Sequence, residues 1–161
     1  ILLYNVPQYT GITLQAPTVA KLAEHPNIIG MKDSSGDMAL FADLIALTPK
    51  DFSVFVGNAL TLLPALCLGA SGGILAVANI VPQVCLRLLR LFDTGQMEEA
   101  RKIQFKLNPL ARAVTAQYGV AGLKAPLDLI DYYGGDPRRP LIPVEERTKK
   151  EIQGLIQAAL L

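Results

Sequence analysis

Histidine and cysteine are scarce in this sequence, with one histidine and two cysteines among 161 residues. A single histidine excludes a multi-histidine metal centre. His25 stands in Glu24-His25-Pro26-Asn27, which reads as a surface loop and not as the base of a catalytic triad. Cys67 and Cys85 sit in apolar segments without metal-ligand spacing. They are expected to be two buried thiols in a reducing compartment, not a disulfide framework. Basic residues are few and dispersed: the net charge is +1, and they pair only at Arg138-Arg139 and Lys149-Lys150. That argues against a nucleic-acid partner, which needs a basic stripe. The longest apolar runs are broken by Gly, Pro or Asn and fall short of a membrane span. No basic start precedes the apolar N-terminus as it would in a signal peptide. A cytoplasmic protein with no membrane partner is expected. No glycine-rich phosphate fingerprint follows the first strand, and Pro7 stands near where one would be, which weighs against a dinucleotide-binding sheet. There is no repeat of solenoid period and no low-complexity stretch.

What is present is a core. Hydrophobic residues make up 51% of the chain and charged residues 18%, enough to fill one ordinary domain. The sequence carries no initiator Met and opens on Ile1-Leu2-Leu3-Tyr4-Asn5-Val6, a run that reads as a buried strand. A domain that opens inside a core strand is expected to be a piece of a longer one.

Strand and helix patterns alternate through the first half. Strands are predicted at 1–6, 28–32, 52–56 and 73–78. Helices are predicted at 16–24, at 37–48 with Asp37 as N-cap, and around 60–68 with a close at Gly69. Short, almost wholly apolar strands joined by helices suggest parallel pairing and burial on both faces. The remainder reads as helical: 81–92, 97–118 with a bend at Pro109, 120–132 with a weakness at Pro126, and 144–161. The chain thus divides into a barrel-like or doubly wound part, 1–80, and a helical part, 81–161. Polar or glycine residues mark the strand ends at Tyr4, Lys32, Gly57 and Asn79, the end that builds active sites in parallel architectures.

Lys32 is the most informative of these. It closes the apolar run Ile28-Ile29-Gly30-Met31-Lys32, and lysines are rarely buried without a use. A desolvated lysine loses proton affinity, and its neutral amine can attack a carbonyl to form a Schiff base. Asp33 does not neutralise it directly, because successive strand side chains point to opposite faces.

The order Tyr4-Asn5-Val6-Pro7-x-x-Thr10-Gly11, then Gly30-Met31-Lys32-Asp33-Ser34-Ser35-Gly36-Asp37, then Gly72-Gly73-Ile74-Leu75-Ala76-Val77-Ala78-Asn79, resembles the dihydrodipicolinate synthase and N-acetylneuraminate lyase family. Gly119 to Asp128 is similar to that family's C-terminal helical region, so the resemblance runs along essentially the whole chain. It implies an α/β fold, a (β/α)8 TIM barrel, of which this chain holds the last four strands and a C-terminal helical bundle. Such a barrel typically needs about 250 residues. The first four strands, with the family's carboxylate-binding loop, are not in this sequence.

The resemblance also implies roles. Lys32 is the Schiff-base lysine of a class I aldolase-type reaction on pyruvate or another 2-oxo acid, and Tyr4 is the proton-relay tyrosine. Ile74 corresponds to a position whose backbone carbonyl lies near the lysine. Gly57 leaves room for substrate. Thr10 and Gly11 shape the loop over the pocket, although a plain turn explains them equally well. No metal and no organic cofactor are implied; the partners are pyruvate and an aldehyde, and the family is usually tetrameric. One position departs from the pattern. Where the family's dihydrodipicolinate synthases usually have an arginine for the second substrate's carboxylate, this chain has Tyr9, which cannot form a bidentate carboxylate pair. Gly57-Asn58-Ala59-Leu60 likewise lacks the acidic pair common there. Both departures favour a lyase or aldolase acting on a 2-keto-3-deoxy sugar acid or 4-hydroxy-2-oxoglutarate. The alternatives are 4-hydroxy-tetrahydrodipicolinate synthase of lysine biosynthesis, a non-catalytic structural half-barrel, or a binding domain on the same barrel. The present chain by itself is expected to be inactive.

Overall fold

Parallel neighbours in a sheet require a long crossover between them, and the spacing of apolar runs in this chain supplies one each time. The computed structural model describes residues 1–161 and divides into two units, Ile1–Leu75 and Ala76–Leu161. The first contains β1 (Leu2–Asn5), α1 (Pro7–Thr10), α2 (Ala16–Leu22), β2 (Gly30–Asp33), α3 (Met38–Leu47), β3 (Ser53–Val56), α4 (Leu62–Leu68) and β4 (Gly72–Gly73). The four strands form one sheet in the order β1-β2-β3-β4, every pair parallel. This is half of a (β/α)8 barrel.

Local chemistry sets the element ends. The Asp37 carboxylate accepts from the amides of Ala39 at 2.9 Å and Leu40 at 3.1 Å, the N-cap of α3 predicted from sequence. Gly69 closes α4 in the left-handed region, φ +104°, where a side chain would be strained.

The strand period of two separates the sheet into unequal faces. Met31, Val54 and Val56 on one face are at most 1% exposed and share the core with Val19, Phe41, Leu44, Leu62 and Ala65 from the helices. On the other face, Leu2 is 48% and Tyr4 52% exposed. The expectation of burial on both faces therefore fails for the face that a closed barrel turns inward.

The fourth strand is also shorter than predicted. It ends at Gly73, and the last ladder bond runs from the Ile74 amide to the Val56 carbonyl at 2.9 Å. Beyond Ile74 no strand backbone is left to pair with, since β3 has ended. Backbone groups must pair somewhere, so Ala76–Asn79 forms a 3-10 turn in which Ile80 N donates to Val77 O at 3.0 Å and the Asn79 side-chain amide donates to Ala76 O at 2.9 Å. Asn79 thus ends a turn, not a strand.

The second unit is helical: α5 (Pro82–Asp93), α6 (Met97–Arg112), α7 (Gly119–Lys124) and α8 (Glu146–Leu160). α6 packs against both α5 and α8. Its buried Ala100, Ile103, Leu107, Leu110 and Ala111, and Ile152, Ile156 and Ala159 of α8, recur at helical spacing. Two predicted helices are interrupted. α6 continues through Pro109, and the irregularity falls later, at a π turn over Ala113–Gln117 in which Tyr118 N donates to Ala113 O at 2.9 Å. Pro126 brings no amide of its own, and the chain tightens to 3-10 over Ala125–Leu129. No helix is long and apolar enough to cross a membrane.

The cysteines differ from expectation and from each other. Cys85 is buried at 7% exposure, but Cys67 is exposed, because Leu62, Leu63, Ala65 and Leu66 fill the inner face of α4 and residue 67 falls outside it. Burial pushes the Cys85 thiol up to about 11. At pH 8 about one molecule in a thousand then carries the Cys85 thiolate, the reactive form. A thiol-exchange reagent at pH 8 is expected to titrate one thiol in the native chain, mapped to Cys67, and the second only in denaturant. Equal labelling rates for both would contradict this packing.

Candidate active site

The site is built on the second-last residues of two adjacent strands. Tyr4 of β1 and Lys32 of β2 are direct register partners, so their side chains leave the sheet on the same face. Lys32 Nζ lies 3.4 Å from Tyr4 Oη, a long hydrogen bond, and 4.4 Å from the centroid of the ring. The ammonium therefore meets both the hydroxyl and the π face.

The next register pair faces the other way. Asn5 and Asp33 are each 1% exposed, and the Asn5 amide donates to the Asp33 carboxylate at 2.6 Å. Asn5 Oδ1 accepts from Leu14 N at 3.0 Å, and Asp33 accepts from Ser35 Oγ at 2.7 Å. Asp33 is thus fully occupied behind the sheet and leaves the Lys32 charge alone, as the strand alternation predicted.

Ser34 completes the cluster, and sequence reasoning did not single it out. Its amide donates to Asn5 O at 2.8 Å, which carries the β1–β2 ladder one residue further. Gln8 Nε2 holds the carbonyls of Ser34 at 2.9 Å and Ser35 at 3.3 Å. The Tyr4 phenol's pKa lies below its ordinary value, chiefly through the neighbouring Ser34 hydroxyl. Desolvation opposes it, and the hydrogen bond and charge of Lys32 reinforce it. The signal that could have found Ser34 is its place two residues after Lys32, on the same parity.

Gly57, just past β3, explains how these groups fit together. A Cβ at this position would overlap Ser34 Oγ and come within 2.7 Å of Lys32 Cε. The missing side chain is the space that the serine and the lysine stem occupy. The structure brings Lys32, Tyr4 and Gly57 together. Thr10 is engaged within its own loop. The Thr10 hydroxyl lies 3.0 Å from Ile12 O and 3.3 Å from Val6 O within its own loop, and Gly11 at φ +68° ends α1 behind it. Ile74 follows β4 with its side chain 41% exposed. Tyr9 is 87% exposed on α1. No group of three or more His, Cys, Asp or Glu side chains converges to hold a metal ion.

The chemistry open to this arrangement is nucleophilic attack by an amine with a phenol at hand to move protons. Comparison with known proteins places it. The family model described as the dihydrodipicolinate synthetase family matches residues 1–159. Similar curated proteins include the 4-hydroxy-tetrahydrodipicolinate synthases of Thermodesulfovibrio yellowstonii, 34% identical over 99% of this chain and 55% of that protein, and of Archaeoglobus fulgidus, 33% identical over 98% and 55%. Among solved structures, the enzyme from Cyanidioschyzon merolae with lysine bound is 32% identical with a TM-score of 0.91 over 99% of this chain and 54% of its own. Dihydrodipicolinate synthase from Thermotoga maritima is 29% identical with a TM-score of 0.90 over 100% and 56%. The chain spans about half the length of the curated relatives it matches, 55% in both cases given.

The buried Asn5–Asp33 pair generates a reversible test. Asn5→Asp sets two carboxylates face to face and is expected to cost about 3 kcal/mol of stability, the scale of an uncompensated buried charge. Adding Asp33→Asn restores one donor and one acceptor with the roles exchanged, while Ser35 and Leu14 keep an acceptor each. Chemical denaturation should show the double substitution recovering most of the loss. A double substitution no more stable than Asn5→Asp would refute the pairing.

Proposed function

The chain belongs to the dihydrodipicolinate synthetase family, and on that premise we propose that Lys32 forms a Schiff base with pyruvate, which then condenses with an aldehyde. The observation that carries this reading is the Lys32–Tyr4 pair, 3.4 Å apart on adjacent strand ends. In the proposed sequence, the Lys32 amine adds to the pyruvate ketone. Tyr4 takes a proton from the nitrogen and gives one to the oxygen, yielding a carbinolamine. Tyr4 then protonates the departing hydroxyl, so that water leaves, an iminium forms at Lys32 and a phenolate remains. The iminium acidifies the neighbouring methyl group, the Tyr4 phenolate takes a proton from it to leave an enamine, and the enamine carbon attacks the aldehyde, whose oxygen receives that proton as the iminium re-forms.

The relatives' name, 4-hydroxy-tetrahydrodipicolinate synthase, supports condensation in the biosynthetic direction over the sugar-acid lyase favoured by the sequence departures alone. Tyr9 keeps a second reading in view. It is an uncharged phenol, 87% exposed, where the family's synthases usually have arginine, and it favours a lyase or aldolase acting on a 2-keto-3-deoxy sugar acid or 4-hydroxy-2-oxoglutarate. The same family premise makes an assembly of several copies the working form.

The test is borohydride reduction in the presence of pyruvate, read by intact mass and peptide mapping on the complete protein. A reduced adduct on Lys32 is expected, with Lys32→Ala abolishing it and Tyr4→Phe slowing its formation by about a hundredfold, a typical loss for a positioned acid–base group. The 161-residue chain alone is expected to trap poorly, because the face that carries Lys32 and Tyr4 is open. No adduct on the complete protein would end the Schiff-base assignment. An amino-acid aldehyde, glyoxylate and a neutral sugar aldehyde, compared at equal pyruvate, separate the substrate readings: preference for the amino-acid aldehyde supports the synthase, and preference for glyoxylate or the sugar aldehyde supports the lyase.

A further inference from the structure

α1 is a single turn with little of its own to hold it in place. None of its residues is buried, and Val6 before it supplies no side-chain cap. One turn fixes more backbone dihedrals than its few hydrogen bonds repay, so it does not persist unsupported. The amides of Tyr9 and Thr10 bond back to Val6 O at 3.0 and 3.2 Å, that of Gly11 to Pro7 O at 2.9 Å, and the Thr10 hydroxyl stays within the same loop. The hydrogen bonds that tie α1 to another part of the fold both come from Gln8, whose Nε2 donates to Ser34 O at 2.9 Å and to Ser35 O at 3.3 Å. The segment that receives them follows Lys32 directly. The Ser34 amide donates to Asn5 O at 2.8 Å, so Ser34 is held by β1 through its N–H and by α1 through its carbonyl. Two carbonyls facing one side-chain amide also fix which way it turns: Oε1 in that place would set three acceptors together with no proton among them. One side chain therefore sets how far α1 stands from the strand that carries the lysine.

We propose that Gln8 is a positioning residue for the second substrate: it clamps α1 onto the segment after Lys32, so that the aldehyde meets α1 at a fixed distance from the amine. The inference rests on the Schiff-base reading and on the place that reading gives α1, but the clamp can be tested apart from both. Gln8 takes part in no bond change and keeps both amide protons throughout. Addition of pyruvate needs the Lys32 amine and the Tyr4 phenol, which the β1–β2 register sets side by side without Gln8. The consequence of the clamp falls on the step that follows. Its loss leaves adduct formation with pyruvate intact and weakens capture of the aldehyde, because α1 is then free to leave the lysine strand.

The experiment compares the complete protein with three variants: Gln8→Met, of similar length without a donor; Gln8→Glu, of the same shape with an acceptor in the donor's place; and Gln8→Lys, which keeps a donor. The first readout is millisecond amide exchange of Tyr9, Thr10 and Gly11. The second is the KM for whichever of the amino-acid aldehyde, glyoxylate and the neutral sugar aldehyde is consumed best, set beside the rate of borohydride trapping with pyruvate. In Gln8→Met and Gln8→Glu the three amides should exchange about tenfold faster, the scale of two modest hydrogen bonds. The aldehyde KM should rise by about the same factor, with the trapping rate unchanged. Gln8→Lys, read by exchange because its charge acts on the aldehyde directly, should restore protection. Unchanged exchange in both Gln8→Met and Gln8→Glu overturns the clamp. Faster exchange with an unchanged aldehyde KM overturns its role toward the substrate, as does a trapping rate that falls in step with aldehyde use, since that marks a general loss of structure. Consumption of none of these aldehydes by a protein that still traps pyruvate overturns that role too. Failure of Gln8→Lys to restore protection counts against hydrogen-bond donation as the agent. Absence of a Lys32 adduct on the unsubstituted protein overturns the Schiff-base reading, a failure distinguishable from these because amide exchange still reports on the clamp.

Discussion

The register between β1 and β2 is the constraint on which the rest of the site depends. Strand side chains alternate with a period of two, so a slip of one residue would send Tyr4 to the helix-covered face and Asn5 to the open one. The buried bond from Asn5 to Asp33 at 2.6 Å opposes such a slip, because a displaced Asp33 would lie in the core with its partner gone. The lock sits one residue beyond the Tyr4–Lys32 pair and on the opposite face. It continues outward: Ser35 bonds Asp33, the Asp37 amide donates to Ser35 Oγ at 3.1 Å, and the Asp37 carboxylate caps α3. The site and the start of the next helix therefore belong to one chain of hydrogen bonds.

Much of this was legible because it is local. The parity of Lys32 and Asp33, the cap at Asp37, the stop at Gly69 and the helix-sized crossovers all follow from neighbours within a few residues, and the first three are present where predicted. What the sequence did not reveal depends on partners distant in the chain. The apolar run after Gly73 reads as strand by composition, but a strand exists only while another backbone runs beside it, and β3 has ended by then. Ser34 reads as an ordinary loop serine until Gly57, which lies 23 positions later, is seen to yield its space. Cys67 reads as buried in an apolar helix until the helix is seen to have an inner face already filled. The π turn at Ala113–Gln117 leaves no local mark at all, whereas the nearby Pro109, which does, passes inside a continuous α6.

The substrate question follows the same division. Motif spacing identified the amine and the phenol, both fixed by strand geometry. On the proposed reading the second substrate meets α1, whose tie to the cluster is Gln8 bonding the carbonyls of Ser34 and Ser35. Tyr9 next to it is solvent-facing, so nothing in this half of the barrel compels its side chain toward or away from an incoming aldehyde. The relatives' names and the Tyr9 substitution pull in different directions because they concern different groups: the names reflect the whole family pattern, and Tyr9 is one contact on a short helix.

Geometry and strength are separable in this site. The positions of Lys32, Tyr4 and Ser34 are set by the ladder, by Gln8 and by the space at Gly57, all within Ile1–Leu75. The strength of their interactions is set by how much water remains. Tyr4 is 52% exposed, so its bond to Lys32 acts through a largely aqueous surrounding. A closed barrel turns this face inward and lines it with side chains from every strand. Coulomb energies scale inversely with the effective dielectric, and the same separation carries several times more energy when water is excluded. Closing the barrel need not move these three groups to make them effective. On the proposed reading it has to remove water from them and supply contacts for the carboxylate of an oxo acid, and the half described here already holds the Lys32 amine and the Tyr4 phenol side by side.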